Sequence, residues 1–237
     1  MLRGFMLKLS ITVLGILLMF VQKTHAGEKS LYDFLWLDPD KKVYVLQNKL
    51  YRKEHTFYMD VGYLSNFTSK FQDTNGYQIK GGFYVWEEWG IELFYNKYNN
   101  SNNDAYSEIQ AINQQEPFIR RLNSSYGALI VWAPFYGKIN TFNQIFYFDW
   151  SFATGLTSIK AESNLKSVTD PLAPAVYNAE SYTGAVLKSN LKLHLRKNIH
   201  LGLEYMNTYY RAAGAKAPTT KKLRTNTDVI MSVGFSF

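Results

Sequence analysis

From residue 55 onward, apolar and polar side chains alternate with a period of two, the mark of half-buried β-strands rather than helices. "HTFYMDVGYL" (55–64) sets Phe57, Met59, Val61 and Tyr63 against Asp60 and Gly62. "NGYQIKGGFYVW" (75–86) and "GIELFYNKY" (90–98) repeat the pattern, with Lys80 and Glu92 on the polar side. "SSYGALIVWA" (124–133) is nearly all apolar, and "PFYGK" (134–138) reads as a turn. "NQIFYFDWSFATG" (143–155) places Phe146, Phe148, Trp150 and Phe152 opposite Asp149. "ESYTGAVLKSNLKLHL" (180–195) sets leucines against Lys188 and Lys192; "IHLGLEYMNTYY" (199–210) opposes Leu201 and Leu203 to Glu204. "NTDVIMSVGFSF" (226–237) stripes Val233 and Phe235 on one face and Asp228 on the other. Eight strands are predicted.

The connections sort by length. Residues 87–89, 134–137 and 196–198 are tight; 65–74, 99–123, 156–179 and 211–225 are longer and polar. The Asn-rich 99–123 stretch reads as a mobile loop. Long connections at one end and short ones at the other describe an up-and-down meander of the outer-membrane type. A soluble lipocalin-like barrel would also alternate, so the facing must be decided separately. Gly62, Gly82, Gly155, Gly184, Gly202 and Gly234 share the face of the charges. Water makes no demand for glycine, which weakens strands, but a cramped lumen does. The polar face therefore turns inward, carrying Asp60, Lys80, Glu92, Asp149, Lys188, Lys192, Glu204 and Asp228 as a lumen core of paired ions. Phe146, Phe148, Trp150, Phe152, Val233 and Phe235 turn outward to lipid, which requires the sheet to close. Trp86, Trp89, Trp132, Phe135 and Tyr136 crowd the short-turn end as an interfacial girdle. The expected fold is all-β: an eight-stranded antiparallel up-and-down transmembrane β-barrel with a short periplasmic N-terminal segment.

Composition adds constraints. There is no cysteine, hence no disulfide, thiolate metal site or cysteine nucleophile. Residues 1–26 read as a cleaved signal peptide: Arg3 and Lys8, an apolar run from Leu9 to Val21, then Thr24-His25-Ala26. Removing Arg3, Lys8 and Lys23 leaves 23 bases against 19 acids, a balance that does not suggest nucleic acid. Residues 27–54 form a periplasmic segment and 55–237 the barrel; Lys49, Arg52 and Lys53 are a solvated flank or meet lipid phosphates.

Catalytic chemistry finds little to stand on. His55, His194 and His200 all fall near the N-terminal or short-turn end, away from the long loops. A hairpin centred on Lys197 sets His194 opposite His200, two imidazoles where zinc asks for three or four ligands. No catalytic residue, metal or cofactor is assigned. A non-enzymatic envelope or partner-presenting role leads; a narrow channel lined by the lumen ions and a lipid-modifying enzyme are the alternatives.

"VLQNKLYRKEHTFYMDVGYL" (45–64) and "WAPFYGKI" (132–139) resemble signature regions of an outer-membrane β-barrel family of gliding and predatory Gram-negative bacteria, and the architecture resembles the small OmpA/OmpX type. The terminal "DVIMSVGFSF", ending in Phe237, resembles the signal read by the outer-membrane insertion machinery. These resemblances imply an integral outer-membrane protein with periplasmic termini and extracellular long loops. Its partners would be outer-membrane lipids, lipopolysaccharide, that machinery and an envelope protein.

Overall fold

In the computed structural model, residues 49–113, 117–141, 144–169, 176–215 and 217–237 are described. The signal segment 1–26 and residues 27–48 lie outside them. The described residues contain eight strands: β1 (Phe57–Asn66), β2 (Gln72–Tyr84), β3 (Trp89–Asn102), β4 (Arg120–Thr141), β5 (Gln144–Ser163), β6 (Asn178–His194), β7 (Ile199–Gly214) and β8 (Ala217–Ser236). Each pairs antiparallel with the next, and β8 closes on β1, with Val61 opposite Val233. Closure leaves no sheet edge around the cylinder, the condition for crossing lipid with strands. The end where β1 starts and β8 finishes is the proximal end; the other is distal.

Polarity is inside out relative to a soluble barrel. Phe57, Met59, Val61, Tyr63, Ile91, Leu93, Leu201, Leu203, Met231 and Val233 are exposed, whereas Asp60, Lys80, Glu92 and Glu204 are at most 1 % exposed. Water would not tolerate such a continuous apolar exterior on a monomer, and acyl chains do. The barrel is transmembrane. Two aromatic rings mark its interfaces. Proximally, Trp89 stacks near Trp132 at 6.0 Å, and the rings continue through Phe152 and Trp150 to Phe135. The outward Trp150 indole donates to Ser189 Oγ at 2.8 Å, so its N–H is satisfied. Distally, outward tyrosines form a second ring: Tyr63 opposite Tyr77, Tyr95 opposite Tyr126, and Tyr205. That distal ring was not anticipated from sequence, although every member ends an outward apolar run.

Several connections differ from expectation. "PFYGK" is strand, not turn: β4 and β5 pair on to Thr141 opposite Gln144, so the connection narrows to 142–143. The register shifts between Trp132 and Phe135, a bulge containing Pro134. Proline has no N–H to give the ladder and is tolerated at such a bulge, which keeps both Trp132 and Phe135 outward and turns Tyr136 inward. The 211–225 loop is likewise strand, β7 running to Gly214 and β8 starting at Ala217. Only 67–71 separates β1 from β2. The Asn-rich stretch holds a helix, α1 (Asp104–Asn113), capped by Asn103, whose Oδ1 accepts from Tyr106 N–H at 3.1 Å. A shorter helix, α2 (Leu165–Thr169), follows β5. Beyond the bilayer both faces of a strand are wet, so alternation disappears while the backbone ladder continues.

Candidate functional site in the barrel interior

Alternation sends one side chain in two toward the axis, and eight strands leave room only for side chains to fill that space. All eight residues expected in the lumen are buried there. Seven of them form the proximal half of the core, together with one residue the sequence left on the flank, Lys53. Lys80 bridges Asp60 at 2.9 Å and Glu92 at 3.8 Å and pairs closely with Glu204. Lys188 pairs closely with Glu92 and reaches Glu204 at 3.2 Å. Tyr58 donates to Glu92 at 2.7 Å, and Lys192 lies 3.9 Å over the Tyr58 ring. With Lys53 on Asp149, four buried lysines face four buried carboxylates. Such balance is what desolvation demands, since one unpaired buried ion costs several kcal/mol.

The ions do not run through. Distal to the ions on the same strands come Leu64 on β1, Phe94 on β3, Val186 on β6 and Met206 on β7, with Ile230 on β8 opposite Leu64, all at most 4 % exposed and part of one hydrophobic cluster; on β2 the next inward residue is the buried Gln78. Beyond this apolar stopper stands Asp228, held by Asn66 Nδ2 at 2.6 Å, Tyr98 Oη at 2.9 Å and Asn226 Nδ2 at 2.9 Å, with no cation in an ion pair with it among the described residues. It belongs to a separate distal network rather than to the ion cluster.

Glycine makes room for these contacts. A Cβ on Gly234 would collide with Asp60 Oδ1 and His200 Nε2; one on Gly82 would enter the Tyr58 ring. His200 hydrogen-bonds Asp60 at 2.7 Å, and His194 hydrogen-bonds Asp149 at 2.7 Å. The two histidines face each other in register, ring centroids 6.3 Å apart. Each imidazole has its own carboxylate, and no group of three or more metal-ligating side chains occurs among the described residues. Ser236 Oγ lies 3.3 Å from His200 Nδ1, so Ser236, His200 and Asp60 stand in the order of a hydrolytic relay. Acyl transfer also needs donors for an oxyanion. The backbone N–H groups of Ser236 and Phe237 are committed to Asn198 and Phe57 carbonyls, and His200 is 1 % exposed. Ser236, His200 and Asp60 thus form a continuous hydrogen-bond chain.

The proximal mouth is covered by residues 49–56. His55 adopts φ 57°, a left-handed turn residue that reverses the chain and sends Lys53 inward. Lys53 and Glu54 N–H groups donate to Glu87 Oε2 at 3.0 and 3.1 Å, and Lys49 pairs with Glu87 at 2.7 Å. Burial opposes the Glu87 charge, but the Lys49 hydrogen bond and those two backbone N–H groups hold its pKa below the ordinary glutamate value. Leu50 and Tyr51 N–H groups donate to Tyr136 Oη at 3.2 and 3.4 Å, and the Tyr51 ring stacks on His194 at 4.3 Å. Of the three bases expected at lipid phosphates or in solvent, Lys49 and Lys53 are instead engaged within the protein; Arg52 is exposed, 3.8 Å from Glu54.

No family model and no curated protein matches the sequence. Solved structures do match. Ail of Yersinia pestis is 11 % identical, covering 78 % of this chain and 99 % of that one, with a TM-score of 0.46. The N-terminal barrel domain of Pseudomonas aeruginosa OprF is 10 % identical, covering 78 % and 98 %, with a TM-score of 0.48. OprG from the same organism is 10 % identical, covering 79 % and 98 %, with a TM-score of 0.45.

Proposed function

We propose that this chain is an integral outer-membrane barrel with a non-conducting, non-enzymatic role in the cell envelope, its termini periplasmic and its distal extensions outside the cell. Signal-like residues 1–26 support export, and the outward apolar alternation of Met231, Val233 and Phe235 on β8 supports delivery to the insertion machinery. The outer-membrane lipids and lipopolysaccharide are then its solvent, and the distal strand extensions and α1 are what it presents to an envelope partner.

The observation that carries the non-conducting reading is the filled lumen: mutually neutralised ions, then the apolar stopper of Leu64, Phe94, Val186, Met206 and Ile230. Open aqueous barrels have about 16–18 strands, and apolar constrictions exclude hydrated ions. The purified barrel in planar bilayers should show no steady open level. A stable conductance lost on Lys80→Met or Asp149→Asn would replace this reading by a narrow channel. Orientation has its own measurement: protease added to intact cells should cut the β7–β8 tip and spare residues 49–56.

A further inference from the structure

The distal mouth holds a cavity of about 260 Å³ lined by residues from β1, β2, β3, β4, β7, β8 and the 67–71 connection. Its walls are fixed before anything binds. The 67–71 connection is tied to β8 by Phe67 N–H to Thr227 O at 3.0 Å and Thr227 N–H to Thr68 Oγ1 at 2.7 Å. Asn103 donates to the Lys70 carbonyl at 3.1 Å from the other side. Opposite, Asn164 clamps residues 117–119, accepting from Ile119 N–H at 2.8 Å and donating to Pro117 O at 2.9 Å.

Three cations line the cavity: Lys70, Arg120 and Arg224. Arg120 is locked, its side chain 8 % exposed, between the rings of Phe118 and Tyr182 at 5.1 and 5.5 Å. It donates to Glu180 at 3.0 Å and to Ala213 O at 2.7 Å. Lys70 and Arg224 form no ion pair among the described residues. From residue 205 to 227 the chain carries no acid at all, and Asp228 lies beneath the floor with its oxygens taken by Asn66, Asn226 and Tyr98. Around these cations stand Phe71, Phe118 and Tyr210, with Thr68, Ser69 and Thr225 supplying hydroxyls; the Asn66 and Asn226 amides are spent on each other, on Asp228 and on the Thr227 and Thr68 backbone. A site of cations alone would suit any small anion. Aromatic faces beside hydroxyls and a fork-shaped guanidinium suit a ring that is apolar on its faces, hydroxylated at its edge and anionic at one corner.

We propose that the distal cavity binds an acidic sugar, one ring deep, with its carboxylate toward Arg224 and Lys70 and its face against the aromatic wall. The volume falls just under the roughly 300–1,000 Å³ of drug-sized pockets, which fits a single terminal or side-branch unit of an acidic polysaccharide. The reading does not depend on which side of the membrane the distal end faces.

The test is titration of the detergent-folded barrel with glucuronate, glucose and acetate, followed by calorimetry and by backbone amide shifts at 66–71 and 224–226. Glucuronate should bind and shift those amides; glucose and acetate should each bind at least about tenfold more weakly, since each lacks half of the recognition. Arg224→Gln combined with Lys70→Gln should abolish glucuronate binding, and Phe71→Ala should weaken glucuronate while leaving acetate unchanged. Retained heat-modifiability on a gel certifies that each variant is folded. Acetate matching glucuronate reduces the site to a bare cation cluster and overturns the proposal, as does glucuronate binding that survives the double substitution. The absence of glucuronate-dependent shifts overturns it outright.

Discussion

Two residues carry disproportionate weight in the core, one for what it lacks and one for what it brings. Gly234 has no side chain because Asp60 and His200 meet over its Cα. Gly234→Ala must separate that pair or distort β8, and overpacking of this kind costs about 1–3 kcal/mol. Urea unfolding in lipid vesicles should show the loss, and the His200 ring resonances should move as its 2.7 Å contact with Asp60 breaks. An unchanged midpoint would mean that the lumen is looser than its packing indicates. Lys53 is the converse case. Lys53→Met leaves Asp149 with only the His194 hydrogen bond, and breaking a buried ion pair costs about 3–5 kcal/mol. The double variant Lys53→Met, Asp149→Asn should recover much of that loss, because the two residues share one interaction. Additive losses in the cycle would show that Lys53 works through packing rather than charge.

At the scale of elements, residues 49–56 and the β2–β3 turn behave as one unit joined through Glu87. Its carboxylate has a folded pKa below the ordinary value of 4.5, so ionised Glu87 stabilises docking above that value. The contribution is lost as pH falls through the folded pKa, when the protonated acid no longer holds Lys49. Amide shifts of Lys53 and Glu54 should therefore stay constant at neutral pH and move together below about 4.5. In Glu87→Gln, which keeps an acceptor for both N–H groups but cannot titrate, those shifts should not move over that range. A shift that persists in Glu87→Gln would assign the transition to another group. This unit was invisible in sequence, because Lys49 and Lys53 lie 38 and 34 residues from Glu87 and nothing local distinguishes a docked lysine from a solvated one. What was legible is the stretch of each strand inside the bilayer: lipid on one side and a packed lumen on the other force every second residue to differ. Where a bulge interrupts the pattern at Pro134 or both faces are wet, at 138–140 and 219–225, the signal vanishes and strands read as turns or loops. Pairing partners within the lumen were beyond reach for a related reason. Alternation fixes which way Lys80 points, but the choice among Asp60, Glu92 and Glu204 depends on tilt and stagger around the whole cylinder.

For the whole molecule, strand length separates what closes the barrel from what projects beyond it. A tilted strand crosses the bilayer in about 9–11 residues, yet β8 has 20 and β7 has 16. Pairing of β8 with β1 ends at Asn66 opposite Asp228, and pairing of β6 with β7 ends at Gly184 opposite Tyr210. Past those points the β7–β8 hairpin is held at its base by Phe67 and Thr68 on Thr227, and above it by its own ladder, Arg211 to Leu223 and Ala212 to Lys222, and by the Arg120 hydrogen bond to Ala213 O. The arm is an appendage of a cylinder already complete below it. Replacing residues 213–221 with a two-residue turn should leave heat-modifiability intact and cost only about 1 kcal/mol, the worth of that one hydrogen bond. A chain that no longer folds would show that closure is nucleated from the distal ribbon. Shortening the proximal β4–β5 extension should act differently. It carries Tyr136, which receives the Leu50 and Tyr51 N–H groups, so its loss should free residues 49–54 to protease while the cylinder itself persists. The two trims thus distinguish an arm that the barrel merely displays from a ribbon that holds its lid.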